Sequence, residues 1–234
     1  MSDAVKKPRS GVGLIPFGLA MAVLLSLFLS MGYYALLHRK QGSVPLPVLR
    51  RVLPFALTDQ SGKKVTQEDL KGKIWVADFI YTSCPGPCPA ETLRMKEIQD
   101  LVANLPNVRL VSISVDPGTD TPAVLQRYAE AHGADPAKWL FLTGVVKEIW
   151  LLASESFAFA IGENPPNRPA EEGPVFHSTQ FALVDSAGRI RSYYDGLKSS
   201  TPARVAQDIR QLLDEQPAAA SEAAPPSPSQ AGDR

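Results

Sequence analysis

The 234-residue chain has two cysteines, Cys84 and Cys88, and both fall in Thr82-Ser-Cys-Pro-Gly-Pro-Cys-Pro89. Pro85 and Pro89 each disfavour helical geometry in the cysteine before them. The pair therefore reads as a tight loop, stiffened by prolines and freed only at Gly86. Two thiols in one pre-bent loop have two natural chemistries, a reversible disulfide redox pair or a clamp for a soft metal. Cys88 is expected beside the N-terminus of the next helix, where the dipole stabilises a thiolate. Service as buried hydrophobes suits such a loop poorly. So does a purely structural disulfide, because closing a short loop gives little chain-entropy stabilisation.

A third donor is expected from the three histidines. His38 abuts an apolar N-terminal stretch, and His132 precedes Gly133 at a helix end. His177 lies in Gly173-Pro-Val-Phe-His-Ser-Thr179 and is expected to open a strand of a C-terminal hairpin, facing the cysteine loop. Cys84, Cys88 and His177 together form a donor set that favours a copper ion. Zinc competes but normally wants a fourth ligand. Three ligands leave the metal open for transfer. Asp78 sits in an apolar segment before Cys84 and has two readings. It is either a buried carboxylate outside the ligand set that relays protons for the thiols, or a residue on a polar sheet edge. Asp116, before Pro117, reads as turn chemistry.

The elements that must position these residues alternate between strand and helix. Ile74–Tyr81 is an apolar run of β-formers, as a central strand should be. Pro89 marks a helix start, with Leu93, Ile98, Leu101 and Val102 at helical spacing. Val108–Val115 is a second strand, followed by a cap at Asp120-Thr121-Pro122 and a helix that stops at Gly133. Trp139–Thr143 and a helix from Val145 to Ser156 come next. Thr179–Val184 and Ile190–Tyr194 form a hairpin across Asp185-Ser-Ala-Gly188, and a last helix runs from Thr201 to near Leu213. The expected fold is α/β, a thioredoxin-like mixed sheet flanked by helices and preceded by one transmembrane helix.

Both ends differ from this middle. From Gly11 to Leu37 there is no charged residue, which is long enough to span a bilayer core of about 20 apolar residues. Its length and the absence of a clean cleavage site favour an uncleaved anchor over a signal peptide. Basic residues nearly balance across it, so charge alone leaves the orientation open. The expected organisation is a short tail 1–10, an anchor 11–37, a linker 38–52, a domain 53–215 and a disordered tail 216–234. That tail carries no Leu, Ile, Val or aromatic residue. Lys+Arg and Asp+Glu are equal at 24 each, a balance that argues against nucleic acid as a partner.

Phe79-Ile-Tyr-Thr-Ser-Cys-Pro-Gly-Pro-Cys-Pro89, Ser114-Val-Asp-Pro-Gly-Thr-Asp-Thr-Pro122, Leu142-Thr-Gly144 and His177-Ser178 occur in order. This series resembles the Sco/SenC family, membrane-anchored copper chaperones of cytochrome c oxidase assembly. The resemblance implies copper ligands at Cys84, Cys88 and His177. It also implies a single-pass chain in a bacterial inner membrane, with its soluble domain in the periplasm or another space outside the cytoplasm. The implied partners are the lipid bilayer through residues 11–37 and the copper-centre subunit of cytochrome c oxidase, together with a copper donor protein or thiol reductant. Gly86-Pro87 and Phe176 depart from the Asp-Val and Asp that many members carry, and neither removes a ligand. The function expected is a copper metallochaperone whose dithiol can also reduce the target's disulfide. The alternatives are a thiol-disulfide oxidoreductase without metal delivery and a copper-dependent redox sensor. The Cys-x-x-x-Cys spacing, wider than the usual Cys-x-x-Cys, disfavours the first.

Overall fold

The computed structural model describes residues 15–38, 44–165, 167, 169, 173 and 175–222. It divides into two units, residues up to Val44 and from Pro45 onward. In the first, α1 runs Ile15–His38, and its described side chains, Met21 to Tyr34, are exposed. Among the described residues no helix is long and apolar enough to cross a membrane. The structure therefore gives a helix where a span was expected. The expected tail 1–10 lies outside the described residues.

The second unit is built on a sheet of eight strands. These are β1 (Arg50–Arg51), β2 (Ala56–Asp59), β3 (Lys64–Thr66), β4 (Ile74–Ile80), β5 (Val108–Ser114), β6 (Trp139–Thr143), β9 (Gln180–Val184) and β10 (Arg189–Asp195), in spatial order β1-β10-β9-β4-β5-β6-β2-β3. β4, β5 and β6 are parallel and every other pairing is antiparallel. The parallel strands are the expected apolar runs, and every residue of β4 is buried. Helix α2 (Cys88–Leu101) connects β4 to β5, and α3 (Pro122–Ala131) connects β5 to β6. Two successive crossovers of the usual hand put both helices on one face, where Thr92 of α2 meets the Tyr128 hydroxyl of α3 at 2.8 Å. Helix α5 (Thr201–Glu222) packs beside α2. The other face is covered by α4 (Val146–Leu151) and the π turn Leu152–Ser156, ending in Phe157, which meets Trp75 and Phe79 edge-on.

Alternation along β4 sends Trp75 and Phe79 to that aromatic face and leaves Asp78 on the face of α2. Asp78 is fully buried, so the polar-edge reading does not hold.

Two expected boundaries shift. The folded unit starts at Pro45, inside the expected linker, because the buried Arg191 guanidinium bonds the Leu46 and Pro47 carbonyls as well as Asp185 and Glu215. β1 then pairs with β10. The last helix continues past Leu213 to Glu222, since Ala218–Ala220 favours helix despite the ladder bond missing at Pro217. Residues 223–234 lie outside the described residues. The cap expected in Asp120-Thr121-Pro122 is Thr121, its hydroxyl accepting from the Val124 amide ahead of proline at the first helical position, and Asp120 is buried.

Candidate metal centre

The loop between β4 and α2 is set by two anchors. At one end the Cys84 amide donates to the Tyr81 carbonyl at 3.2 Å. At the other, Ala90 and Glu91 amides close on the Pro87 carbonyl, so α2 begins at Cys88 with proline at its second position. Cys84 stays outside the helix, as the prolines require. Between these, Asp120 accepts from the Thr82 amide and hydroxyl at 3.0 and 2.5 Å and from the Ser114 hydroxyl at 2.6 Å. One carboxylate thus ties the approach to Cys84 to the end of β5. Asp120→Ala leaves those donors without a partner in a buried setting and is expected to cost about 3 kcal/mol, read from urea midpoints.

His177 arrives from a different direction. It ends β8 (Val175–His177), which pairs with β7 (Ile161–Glu163) in a separate two-stranded ribbon, with His177 opposite Ile161. The expected place at the start of a main-sheet strand is corrected: β9 begins later, at Gln180. The reason is local pairing with β7, a strand too short and too polar to stand out in the sequence.

The result is a compact donor set. One ligand atom each from Cys84, Cys88 and His177 lie within 4.8 Å of one another, the one such group among the described residues. A metal bonded at about 2.0–2.3 Å to each donor needs separations of at most roughly 4.6 Å. The site therefore closes on a cation with a movement of tenths of an ångström. Both thiols are free, Cys84 half-buried and Cys88 buried. Cys88 Sγ lies 3.1 Å from His177 Nε2. His177 Nδ1 faces the Ser178 carbonyl at 3.0 Å, which can only accept. The proton is therefore assigned to Nδ1, and the Nε2 lone pair points at the sulfurs.

Phe176, just before the histidine, does not face the donor set. Its ring lies over Gly162, filling the space a Cβ there would need at 2.7 Å. It serves ribbon packing, and a backbone carbonyl orients the imidazole instead.

Electrostatics distinguishes the two sulfurs. The hydrogen bond from Cys88 holds the Cys84 thiol down at about 3. The same bond, with burial, pushes Cys88 above the ordinary thiol range. The expected assignment of the thiolate to Cys88 is thereby reversed. Its helix-start position counts for less than full burial, while Cys84 has solvent on one side.

Two carboxyls lie beneath this pair. Neither oxygen of Asp78 nor of Glu91 makes a hydrogen bond of ordinary geometry, although Ser112 is near enough to Asp78 to lower it somewhat. Burial dominates, raising Asp78 to about 7 and Glu91 to about 9, and the nearby Asp78 and Cys84 charges raise Glu91 further. Glu91 had no signal in the sequence, because an acid in a first helical turn is ordinary. His132 proves a bystander, bonding the Tyr128 carbonyl at 2.8 Å and stacking on its ring.

Fold and site together define a thioredoxin-like protein with an open Cys₂His metal clamp at the end of a central strand. The SCO1/SenC family model matches residues 48–214, and the chain belongs to that family. It is 35% identical over 166 residues to a SCO1 protein homolog of Bacillus subtilis, covering 70% of this chain and 83% of that one. A solved structure of BsSco, described as a member of the Sco family of cytochrome c oxidase assembly proteins with a disulfide switch, aligns at a TM-score of 0.62. It has 33% identity and covers 72% of this chain and 96% of that one. Bradyrhizobium japonicum ScoI, solved with copper bound, aligns at a TM-score of 0.58 with 31% identity, covering 69% and 99%.

Proposed function

We propose that this protein is a copper metallochaperone that binds one copper through Cys84, Cys88 and His177 and carries it to the binuclear copper centre of cytochrome c oxidase. The convergence of two thiols and an imidazole from distant parts of the chain carries this reading. Such soft and borderline donors in an open three-coordinate set suit a metal that must be released. The copper-bound relative and the oxidase-assembly relative support the cargo and the destination. The uncharged run 11–37 supports a tether in a bacterial inner membrane with the domain outside the cytoplasm.

Unequal sulfurs favour a second activity at the same site. The half-exposed Cys84 thiolate attacks a disulfide sulfur of the target, giving a mixed disulfide and releasing one target thiolate. Cys88 then attacks Cys84 Sγ, its proton passes to solvent, and the second target thiolate leaves. The target gains two electrons and this chain ends as a disulfide, which cannot hold copper.

The full chain in detergent tests both. The reduced protein should take up one copper per chain and the disulfide form none, by metal analysis after desalting. Equal uptake by the two forms would refute ligation by the sulfurs. Deleting the protein from its host should lower oxidase activity, and normal activity under limiting copper would refute the destination.

A further inference from the structure

Apolar side chains face solvent along the first stretch of the folded unit. Val48, Leu49 and Leu53 are 55%, 46% and 46% exposed, and Leu151 of α4 is 56% exposed. Leu53 and Pro54 form a ridge between two grooves. One, of about 460 Å³, is lined by Phe55, Leu57, Leu151 and Leu152, with Glu148 as its acid. The other, of about 440 Å³, lies over Trp75 and carries Arg51 and Lys71, the latter paired with Glu68 at 3.2 Å. The Leu53 amide donates to the Ser156 hydroxyl at 3.0 Å, and the Arg50 guanidinium donates to the Glu155 carbonyl at 2.9 Å. Ridge, arginines and the end of the π turn therefore form one held surface.

Charge in this stretch departs from that of the chain. Lys+Arg and Asp+Glu are equal at 24 each overall, yet no acid lies between Asp3 and Asp59, and Arg39, Lys40, Arg50 and Arg51 fall within that interval. Eight positions separate Leu37, the last residue of the uncharged run, from Pro45. Fully extended, they reach at most about 28 Å. With residues 11–37 in a bilayer, the start of the folded unit stays within that distance of the headgroups. An exposed apolar ridge flanked by unopposed arginines suits such a neighbour.

We propose that the Leu53–Pro54 ridge and its two grooves dock on anionic phospholipid headgroups, with Leu53 entering among them and Arg50 and Arg51 meeting their phosphates. The inference rests on the membrane tether in the reading above and not on copper. Docking also sets a height. Trp75 stands near the start of β4, whose seven residues extend about 20 Å, and the cysteine loop follows its other end. The donor set is thereby held about one strand length from the lipid, clear of the headgroups and open to a target domain on the same membrane.

The full chain in nanodiscs that contain a spin-labelled headgroup lipid tests this by broadening of amide resonances. Signals of residues 48–57 should broaden in phosphatidylglycerol discs and not in phosphatidylcholine discs, and those of Cys84 and Cys88 should stay sharp in both. Arg51→Gln should lower the ratio of docked to free domain about fivefold, and Glu148→Lys should raise it by at least as much. Equal broadening in the two lipids would overturn the proposal. So would its absence from both in a chain that resists alkaline extraction from vesicles. Concentration-dependent shifts of these signals in plain detergent would assign the surface to a second copy and overturn the lipid reading. Release of the chain by alkaline extraction would instead overturn the tether, and salt-sensitive binding to phosphatidylglycerol vesicles would still judge this surface.

Discussion

His177→Ala is expected to keep its fold and both thiols and to lose at least about a hundredfold in copper affinity. The lower bound follows because groups merely bonded to metal ligands already cost 10–100-fold when removed, and Nε2 is one of three donor atoms. The fold should survive because His177 is only part-buried and ends a three-residue strand. Its side chain bonds just Cys88 and the neighbouring Ser178 carbonyl. The Cys84–Cys88 disulfide should still form in glutathione buffers. Competition with a chelator of known affinity gives the copper constant, and thiol titration confirms that both sulfurs remain. Affinity equal to the parent's would end the three-donor account of the site. Loss of disulfide formation as well would mean that the imidazole governs sulfur redox chemistry rather than metal retention.

Asp78→Asn is expected to make the metal-free, reduced domain more stable than the parent at pH 8 and to leave it nearly unchanged at pH 4. Asp78 is held at about 7 in the folded protein against 3.8 for an ordinary carboxyl. A folded value above the unfolded one means that the folded state binds the proton more tightly. The associated stability is complete below about pH 4 and is lost as pH rises through 7. The full shift corresponds to at most about 4 kcal/mol, and relaxation around the charge will reduce it. Asparagine mimics the protonated carboxyl and has nothing to lose across that range. Measuring the difference between variant and parent cancels the opposite contribution of Cys84, whose folded value is depressed and whose stabilisation therefore grows with pH. Glu91 is raised to about 9 chiefly by burial, which the variant keeps, and Asp78→Asn removes only the smaller contribution of the Asp78 charge. Urea unfolding at pH 4, 6 and 8 gives the three differences. A constant difference across them would show that Asp78 is ionised throughout.

The parallel core was readable because buried strands are rich in apolar β-formers, as Ile74–Ile80, Val108–Ser114 and Trp139–Thr143 are despite Asp78, Arg109, Ser112, Ser114 and Thr143. The cysteine loop was readable because three prolines leave the chain few conformations. The outer strands β1, β2 and β3 were not anticipated: they are short, and their pairing depends on partners distant in sequence, such as Ile190 opposite Arg50. Asp120 gave no signal of its own beside the Thr121-Pro122 helix start, and only the folded chain shows Thr82 and Ser114 converging on it. Buried polar groups take their meaning from neighbours that local pattern does not reveal.

The small ribbon that bears His177 has a final consequence. A two-stranded ribbon by itself contributes little cohesion, whereas Cys88 is embedded at the start of a long helix. One grip on the cargo is therefore cheap to loosen and another is not. Under the chaperone role proposed above, unloading would begin at the imidazole arm, exposing one face of a two-sulfur intermediate to an incoming acceptor, while Val175 keeps the ribbon seated on the core.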